Sequence, residues 1–292
     1  MSNMMRRSRT GLAARLLGGL LVGVTVSALA ACGSSGEGPN PAPKLVPGAT
    51  PGGHLTIGIP FDEPGIGVQE GTTYKGFDVD TATYVAKALG VPPENITWVK
   101  ANGADREQLL AGGKADLIFS TYSITDARKQ VVDFAGPYFT AHQDLLVRRN
   151  DDEITGPETL NGKDLCTVAG TTSAANITAR YQGRINLKEL PTYTDCVKAL
   201  AASQIDAVTT DDVILAGYAA QPQYKGVLKV VGKGFSEESY GVGLRKGNTA
   251  LRDQVNAALK QYIDDGSWKK ALDISVAPSG YDIPDPPTPG TD

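Results

Sequence analysis

Histidine is nearly absent from this chain: His54 and His142 are the only two in 292 residues, and cysteine is held to three. No C-x-x-C spacing occurs, which argues against a zinc site, since such sites draw on clustered Cys and His. There is no G-x-S-x-G elbow, no Walker loop and no H-E-x-x-H, and a histidine-based triad would have to use His142, which reads as structural. Enzyme readings are therefore weak, and no cofactor is called for. Positive charge is also short. Lys and Arg number 28 against 32 Asp and Glu, a net −4. Four of those cations (Arg6, Arg7, Arg9 and Arg15) precede Cys32 in a stretch without acids. Removing them leaves 24 against 32, a net −8. Nucleic acid is a poor partner for such a chain, because phosphate contacts need clustered cations. An anionic ligand would need a local positive site.

What is present begins with an N-terminal leader. Arg6, Arg7 and Arg9 form a charged region, and 12–29 is apolar with Gly and Ala. By length the run could pass for a membrane helix, and a retained anchor helix is the alternative. Leu29-Ala30-Ala31-Cys32 resembles a lipobox, so the expectation is a signal peptide over 1–31, lipidation of Cys32 and a flexible tether over 32–52. Cys166 and Cys196 then remain in an extracytoplasmic compartment, where a disulfide is the economical reading and two free buried thiols the alternative. Closing a loop of roughly 30 residues is worth on the order of 3–4 kcal/mol.

Strand and helix signals alternate along the chain. His54–Pro60 reads as a strand. Asp78 or Asp80 can cap a helix with Val79, Ala82, Val85, Ala86 and Leu89 on one face. Ala115–Phe119 reads as a buried strand that opens into the hydroxyls of Ser120, Thr121 and Ser123. Thr125 is an N-cap candidate there, with Asp126 in the first turn. Unpaired N–H groups at a helix start suit an anion, and Arg128 adds a planar fork for a carboxylate, so the stretch is a candidate carboxylate cradle; a helix start with a surface Arg is the plainer reading. His142–Val147 is a further strand, and Arg148–Asp152 is a candidate hinge or a solvated loop. Alternation restarts with Leu165–Val168, Gly170–Ser173 leading into a helix, Thr194 as a cap, Ala207–Thr210 as a strand, and a closing helix with Leu251, Val255, Leu259 and Tyr262 on one face. The Pro-rich tail 282–292 is expected to be disordered. Gln108–Ser123 and Lys198–Asp212 share one plan of helix end, turn, Asp, strand and hydroxyls. Ligands of open α/β sheets bind beyond strand carboxyl ends, so two such ends facing each other predict a cleft.

The run TYSITDARKQVVDFAGPYF (Thr121–Phe139) and GFDVD (Gly76–Asp80) resemble the signatures of the family 3 solute-binding proteins, the polar amino-acid receptors of ABC importers. The resemblance covers roughly Leu55–Ile274. FDEPGIG, ATYVAKALG, HQDLLVRR, LCTVAGTTS, TYTDCVKAL and AVTTDDVILAGY are closest to the glutamate-binding lipoproteins of Gram-positive glutamate uptake systems.

The resemblance implies an α/β chain of two-lobe, periplasmic-binding-protein type II architecture with the ligand cleft between the lobes. The first lobe is expected over 53–147 plus 239–281 and the second over 148–238. By motif position Arg128 resembles the Arg that grips the α-carboxylate and Asp211 the Asp that takes the α-ammonium. Thr121 and Ser123 match first-lobe contacts, and Thr171 and Thr172 match the loop that closes on the ligand, with Thr210 beside Asp211. Arg106, by itself a surface helix charge, matches an Arg that holds the side-chain carboxylate in glutamate and aspartate binders. The cation some acidic-ligand receptors carry near Pro60 is missing from Pro60-Phe61-Asp62-Glu63. Phe61 and Tyr122 are candidates to pack on ligand methylenes. The expectation is a monomeric lipoprotein on the outer face of the cytoplasmic membrane that hands glutamate or aspartate to ABC permease subunits. The alternatives are a sensor signalling through a membrane partner and an enzyme of the cyclohexadienyl dehydratase type.

Overall fold

The computed structural model describes residues 42–181 and 183–291; the expected leader, the lipobox-like stretch and Cys32 lie outside them. No helix among the described residues is long and apolar enough to cross a membrane.

In chain order, β1 (Leu55–Ile59) leads into a small antiparallel meander of β2 (Asp62–Glu63), β3 (Gly67–Glu70) and β4 (Thr73–Lys75). Then come α1 (Phe77–Ala88), β5 (Ile96–Lys100), α2 (Arg106–Ala111), β6 (Leu117–Ile118), the single turn α3 (Asp126–Lys129) and the long β7 (Val132–Ala141). The chain continues through β8 (Gln143–Arg148), β9 (Asp164–Val168), α4 (Thr172–Tyr181), β10 (Asn186–Leu190), α5 (Tyr193–Ala201), β11 (Ala207–Asp211), α6 (Asp212–Ala219) and β12 (Leu228–Val230). It returns with β13 (Glu238–Arg245) and ends in α7 (Thr249–Asp264) and α8 (Ser267–Ser275).

Two five-stranded sheets result, ordered β5-β1-β6-β13-β7 and β10-β9-β11-β8-β12. Within each, three strands joined through helices run parallel, and the strands reached by direct crossover pair antiparallel. The apolar stripe expected on α1 is buried, and α7 buries Val255, Ala258, Leu259 and Tyr262, spaced by three and four residues. These faces join one apolar cluster that runs on to Cys166, Leu200 and Ile214 of the second lobe. Each fully buried Val or Leu contributes about 1.5–3 kcal/mol, so Leu259→Ala is expected to cost about 2–5 kcal/mol.

The sequence echo has a physical basis. Asp116 accepts from Thr56 N at 2.8 Å, and Asp206 accepts from Asp164 N at 2.8 Å. In both lobes the Asp before the strand thus caps the start of its neighbour, which puts β6 and β11 in equivalent places with their carboxyl ends toward the cleft.

Five expectations change. The described end of the expected tether is packed, not free: Val46 is buried in the apolar cluster and its N–H donates to Ala88 O at 2.9 Å. The strand 143–148 belongs to the second sheet, so the first crossover falls at His142, about six residues before the expected boundary, and Arg148–Asp152 is not the hinge. Arg148 instead donates to Ile205 O at 2.6 Å inside the second lobe. The two crossing segments touch: Phe235 N donates to Gln143 O at 2.9 Å and Gln143 N to Ser236 Oγ at 3.1 Å. Helix α5 is capped by Thr192, not Thr194, because Thr192 Oγ1 accepts from Asp195 N while donating to the Asp195 carboxylate. Helix α1 starts after Gly76, with Asp78 and Asp80 in its first turn rather than capping it. The tail packs instead of lying free: Ile283 joins the apolar cluster, and Gly290 N donates to Gly136 O at 2.6 Å.

Candidate functional site: a cleft between two strand ends

The first wall is the elbow after β6. Thr121 holds a left-handed backbone, φ 43°, which a β-branched residue rarely adopts. That turn aims its N–H at Asp78 Oδ2 over 2.9 Å, and Asp78 Oδ1 accepts from Tyr138 OH at 2.7 Å. The buried Asp78 of GFDVD is therefore the post on which the elbow is hung. Burial lifts its carboxyl to about 6 despite those bonds. Ser120 Oγ donates to Ala101 O, and Thr121 Oγ1 donates to Glu63 Oε2 at 3.3 Å. Thr125 accepts from Arg128 N at 3.2 Å, the cap expected there.

Two guanidinium groups lie behind this elbow. Arg106 is only 4% exposed, so it is no surface charge. It donates to Ser120 O at 2.9 Å, to Thr121 O at 3.3 Å and to Gly170 O at 3.4 Å, and its Nε has no hydrogen-bond partner among the described residues. Arg128 donates to Ser123 O at 2.7 Å and to Gly170 O at 3.0 Å, and its Nε meets Glu107 at 3.3 Å. Both rest over the Tyr122 ring, at 4.4 and 4.9 Å. Burial, and next the Arg106 charge, push the Arg128 guanidinium down to about 10. Arg106 lines the cleft; Arg128 stands behind it. Tyr122 is fully buried and serves as the platform for both cations, while Phe61 packs against Tyr74 at a tilt, ring centres 5.3 Å apart; neither lines the cleft.

The second wall is built from β9, α4 and β11. Thr171 Oγ1 donates to Val168 O at 2.7 Å and accepts from Ala174 N at 3.1 Å, so it caps α4 and turns the positive helix end toward the cleft. Thr172 meets Ser123 across the cleft, Oγ to Oγ1 at 3.3 Å. Thr210 and Asp211 end β11. Asp211 is 4% exposed; its Oδ2 accepts from Tyr240 OH at 2.6 Å and its Oδ1 has no partner among the described residues. Burial, followed by the nearby Glu238 charge, lifts this carboxyl to about 8. A disulfide joins Cys166 of β9 to Cys196 of α5, as expected, and ties the strand that leads to Thr171 to the helix whose start, Thr192 and Tyr193, also faces the cleft.

The lobes meet through backbone as well as side chains. Gly170, φ 76°, leaves room for Ala104 Cα, which a Cβ would approach to 2.7 Å, and a Cβ on Gly217 of α6 would collide with Pro64 O. Beside Gly217, Tyr218 OH donates to Asp62 O at 2.5 Å, and Thr194 Oγ1 lies 2.9 Å from the same hydroxyl. Eight residues were expected at the site. Seven of them (Arg106, Thr121, Ser123, Thr171, Thr172, Thr210 and Asp211) line one cleft, with Arg128 in the layer beneath. Sequence reasoning missed Glu63, Tyr193 and Tyr240; of these only Glu63 carried a signal, an acidic pair placed directly after an apolar strand.

Two α/β lobes joined by two crossovers, with the Arg106 cation on one wall and on the other the Asp211 carboxyl, one of whose oxygens has no partner among the described residues, define a two-lobed ligand-binding protein of the periplasmic type. The profile of the bacterial extracellular solute-binding proteins, family 3, matches residues 55–274. The chain belongs to that family. It is 38% identical over 278 residues to the glutamate-binding protein GluB of Corynebacterium efficiens, covering 91% of each chain. It is 32% identical over 247 residues to the ABC transporter glutamine-binding protein GlnH of Bacillus subtilis, covering 82% of this chain and 89% of that one. Among solved structures, an ancestral arginine-binding protein bound to glutamine superposes with a TM-score of 0.70 at 32% identity, covering 76% of this chain and 97% of the other.

Proposed function

We propose that this protein is an extracytoplasmic receptor for an acidic amino acid, glutamate first and aspartate second, which it encloses by lobe closure and delivers to an ABC importer. The observation that carries this reading is a pair of buried polar atoms without a hydrogen-bond partner among the described residues, Arg106 Nε and Asp211 Oδ1, on two residues that line one cleft. Buried polar atoms are normally satisfied, so a donor and an acceptor left open in one cleft fit a ligand with both an anionic and a cationic group. In this reading Asp211 takes the α-ammonium. The α-carboxylate meets the start of α4, Ser123, Thr172 and Arg128, which exchanges the Gly170 carbonyl for a ligand oxygen. Arg106 takes the side-chain carboxylate.

Similarity to GluB supports glutamate, and the naming of the relatives as binding proteins supports a receptor over an enzyme. Closure is a population shift driven by ligand contacts with both walls. The Leu29-Ala30-Ala31-Cys32 stretch supports a lipid anchor at Cys32, which would hold the receptor beside its permease. A thermal-shift screen of the twenty amino acids on the chain from Gly33 tests the ligand, since a tight ligand raises the melting temperature by mass action. Glutamate is expected to give the largest rise. A larger rise with a basic or apolar amino acid would overturn the reading.

A further inference from the structure

Of the acidic residues that line the cleft, Asp211 has a task in the proposed binding mode, and Asp62 and Glu63 have none. Glu63 sits on β2, is 7% exposed, and lines the same cleft as Arg106 and Asp211. Four carboxylates gather in and beneath the cleft: Asp62, Glu63 and Asp211 line it and Asp78 is buried under the elbow. Asp78 accepts from Thr121 N and Tyr138 OH, Asp211 accepts from Tyr240 OH, and Asp62 accepts from Thr194 N at 3.4 Å. Glu63 accepts from the Thr121 hydroxyl at 3.3 Å. The charges that act on it are Asp62 beside it in the chain, Asp78 from α1, Asp211 from β11 and one cation, Arg106 from α2. The hydroxyls of Tyr138, Tyr193, Tyr218 and Tyr240 are in electrostatic range. The guanidinium of Arg106 already donates to three backbone carbonyls. An ionised carboxylate in that setting is desolvated, poorly hydrogen-bonded and surrounded by like charge.

We propose that Glu63 meets the ligand as a neutral carboxylic acid, donating a hydrogen bond to the side-chain carboxylate beside Arg106, and so sets the side-chain charge the cleft accepts. The proposal rests on the acidic-ligand reading. Burial first, then Asp62 and Asp78, hold the Glu63 carboxyl well above the usual carboxylate range, in agreement with it. A neutral acid has one O–H to give, and a ligand carboxylate has only acceptors, so the two are complementary. Were Glu63 ionised, it would face glutamate as acceptor against acceptor, with charge repulsion added. A cationic side chain would reverse the preference by drawing off the proton.

Two variants and one spectrum test this. Glu63→Met removes the donor and keeps the volume; Glu63→Gln is uncharged and keeps a donor. Glutamate, glutamine and arginine are titrated calorimetrically into the wild type and both variants. Glu63→Met is expected to lose about tenfold in glutamate affinity, the worth of one charge-assisted hydrogen bond, and Glu63→Gln to recover most of it. Glutamate affinity unchanged in Glu63→Met, or as weak in Glu63→Gln as in Glu63→Met, would overturn the proposal. If glutamine is the best wild-type ligand and follows the same loss and recovery, the acidic-ligand reading falls and the neutral Glu63 stands. If arginine is best and both variants lose it, both fall. The second measurement is independent of the variants: the carbon shift of the Glu63 carboxyl by NMR is expected to stay that of the protonated acid from pH 5 to pH 7, free and glutamate-bound. A titration near the ordinary glutamate value of about 4.3 would refute it.

Discussion

The phenol of Tyr240 donates to Oδ2 of Asp211 over 2.6 Å and leaves Oδ1 of the same carboxyl without a partner among the described residues. Tyr240 lies on β13 of the first sheet and Asp211 on β11 of the second, so one hydrogen bond orients the acid and also joins the lobes.

Asp211→Asn is therefore expected to weaken amino-acid binding by about 2–5 kcal/mol, roughly 30-fold to several thousandfold, because the α-ammonium loses its only proposed counter-charge. Tyr240→Phe is expected to cost about 1 kcal/mol, roughly fivefold, since one orienting bond is lost and the carboxyl becomes easier to protonate. Calorimetric titration reads both, and wild-type affinity in Asp211→Asn would remove that residue from the site.

The same carboxyl gives the binding a pH dependence. It stands near 8 in the ligand-free protein through burial and the Glu238 charge. An ammonium ligand needs it ionised, so at pH 7 binding is expected to release up to one proton, and affinity to rise with pH until about 8, by at most about tenfold per pH unit. The stability of the ligand-free protein moves the other way. The folded carboxyl holds its proton more tightly than the unfolded one, so its contribution is present below about pH 4 and is lost as pH rises through about 8. Titration in two buffers of different ionisation enthalpy measures the proton count; proton uptake at pH 7 would contradict the assignment.

Closure is expected to be separable from recognition. A methyl group on Gly217 would meet Pro64 O, so Gly217→Ala should hold the lobes apart. Overpacking of this kind costs about 1–3 kcal/mol, so affinity should fall roughly 5- to 150-fold, by the same factor for every amino acid. Small-angle scattering should show a larger ligand-bound radius than wild type. A changed ratio between ligands would mean that α6 touches the side chain.

Replacing Cys166 and Cys196 together by Ser is expected to lower unfolding free energy by about 3–4 kcal/mol, from the loop of 30 residues that the bridge closes. Denaturant unfolding checks it. Because the bridge braces the strand leading to Thr171, affinity should fall along with stability; an unchanged affinity would place the bridge outside the site's support.

Much of this was legible in the sequence because local signals agreed with the tertiary outcome. The Thr125 cap, the two strand–hydroxyl ends and the α1 and α7 stripes are set by neighbouring residues, and they carried most of the cleft. The crossover at His142 was not legible, since a single exposed residue separates two apolar strands and the charged run six residues later mimics a hinge. Nor was the role of Tyr122, because an aromatic beside hydroxyls reads alike as ligand stacker or platform until both guanidinium groups are seen to lie over it. Tyr240 was hidden for another reason: it reaches Asp211 from 29 residues further along the chain, on the opposite sheet.

The central claim, recognition of an acidic side chain by Arg106, is tested most directly by titrating glutamate and glutamine into the wild type and into Arg106→Met. The wild type is expected to prefer glutamate by about 1–3 kcal/mol, roughly 5- to 150-fold, because an amide makes weaker hydrogen bonds and leaves the buried guanidinium without its counter-charge. Arg106→Met is expected to shrink that ratio toward one. A wild type that prefers glutamine, or an Arg106→Met variant that keeps the wild-type ratio, would contradict the account.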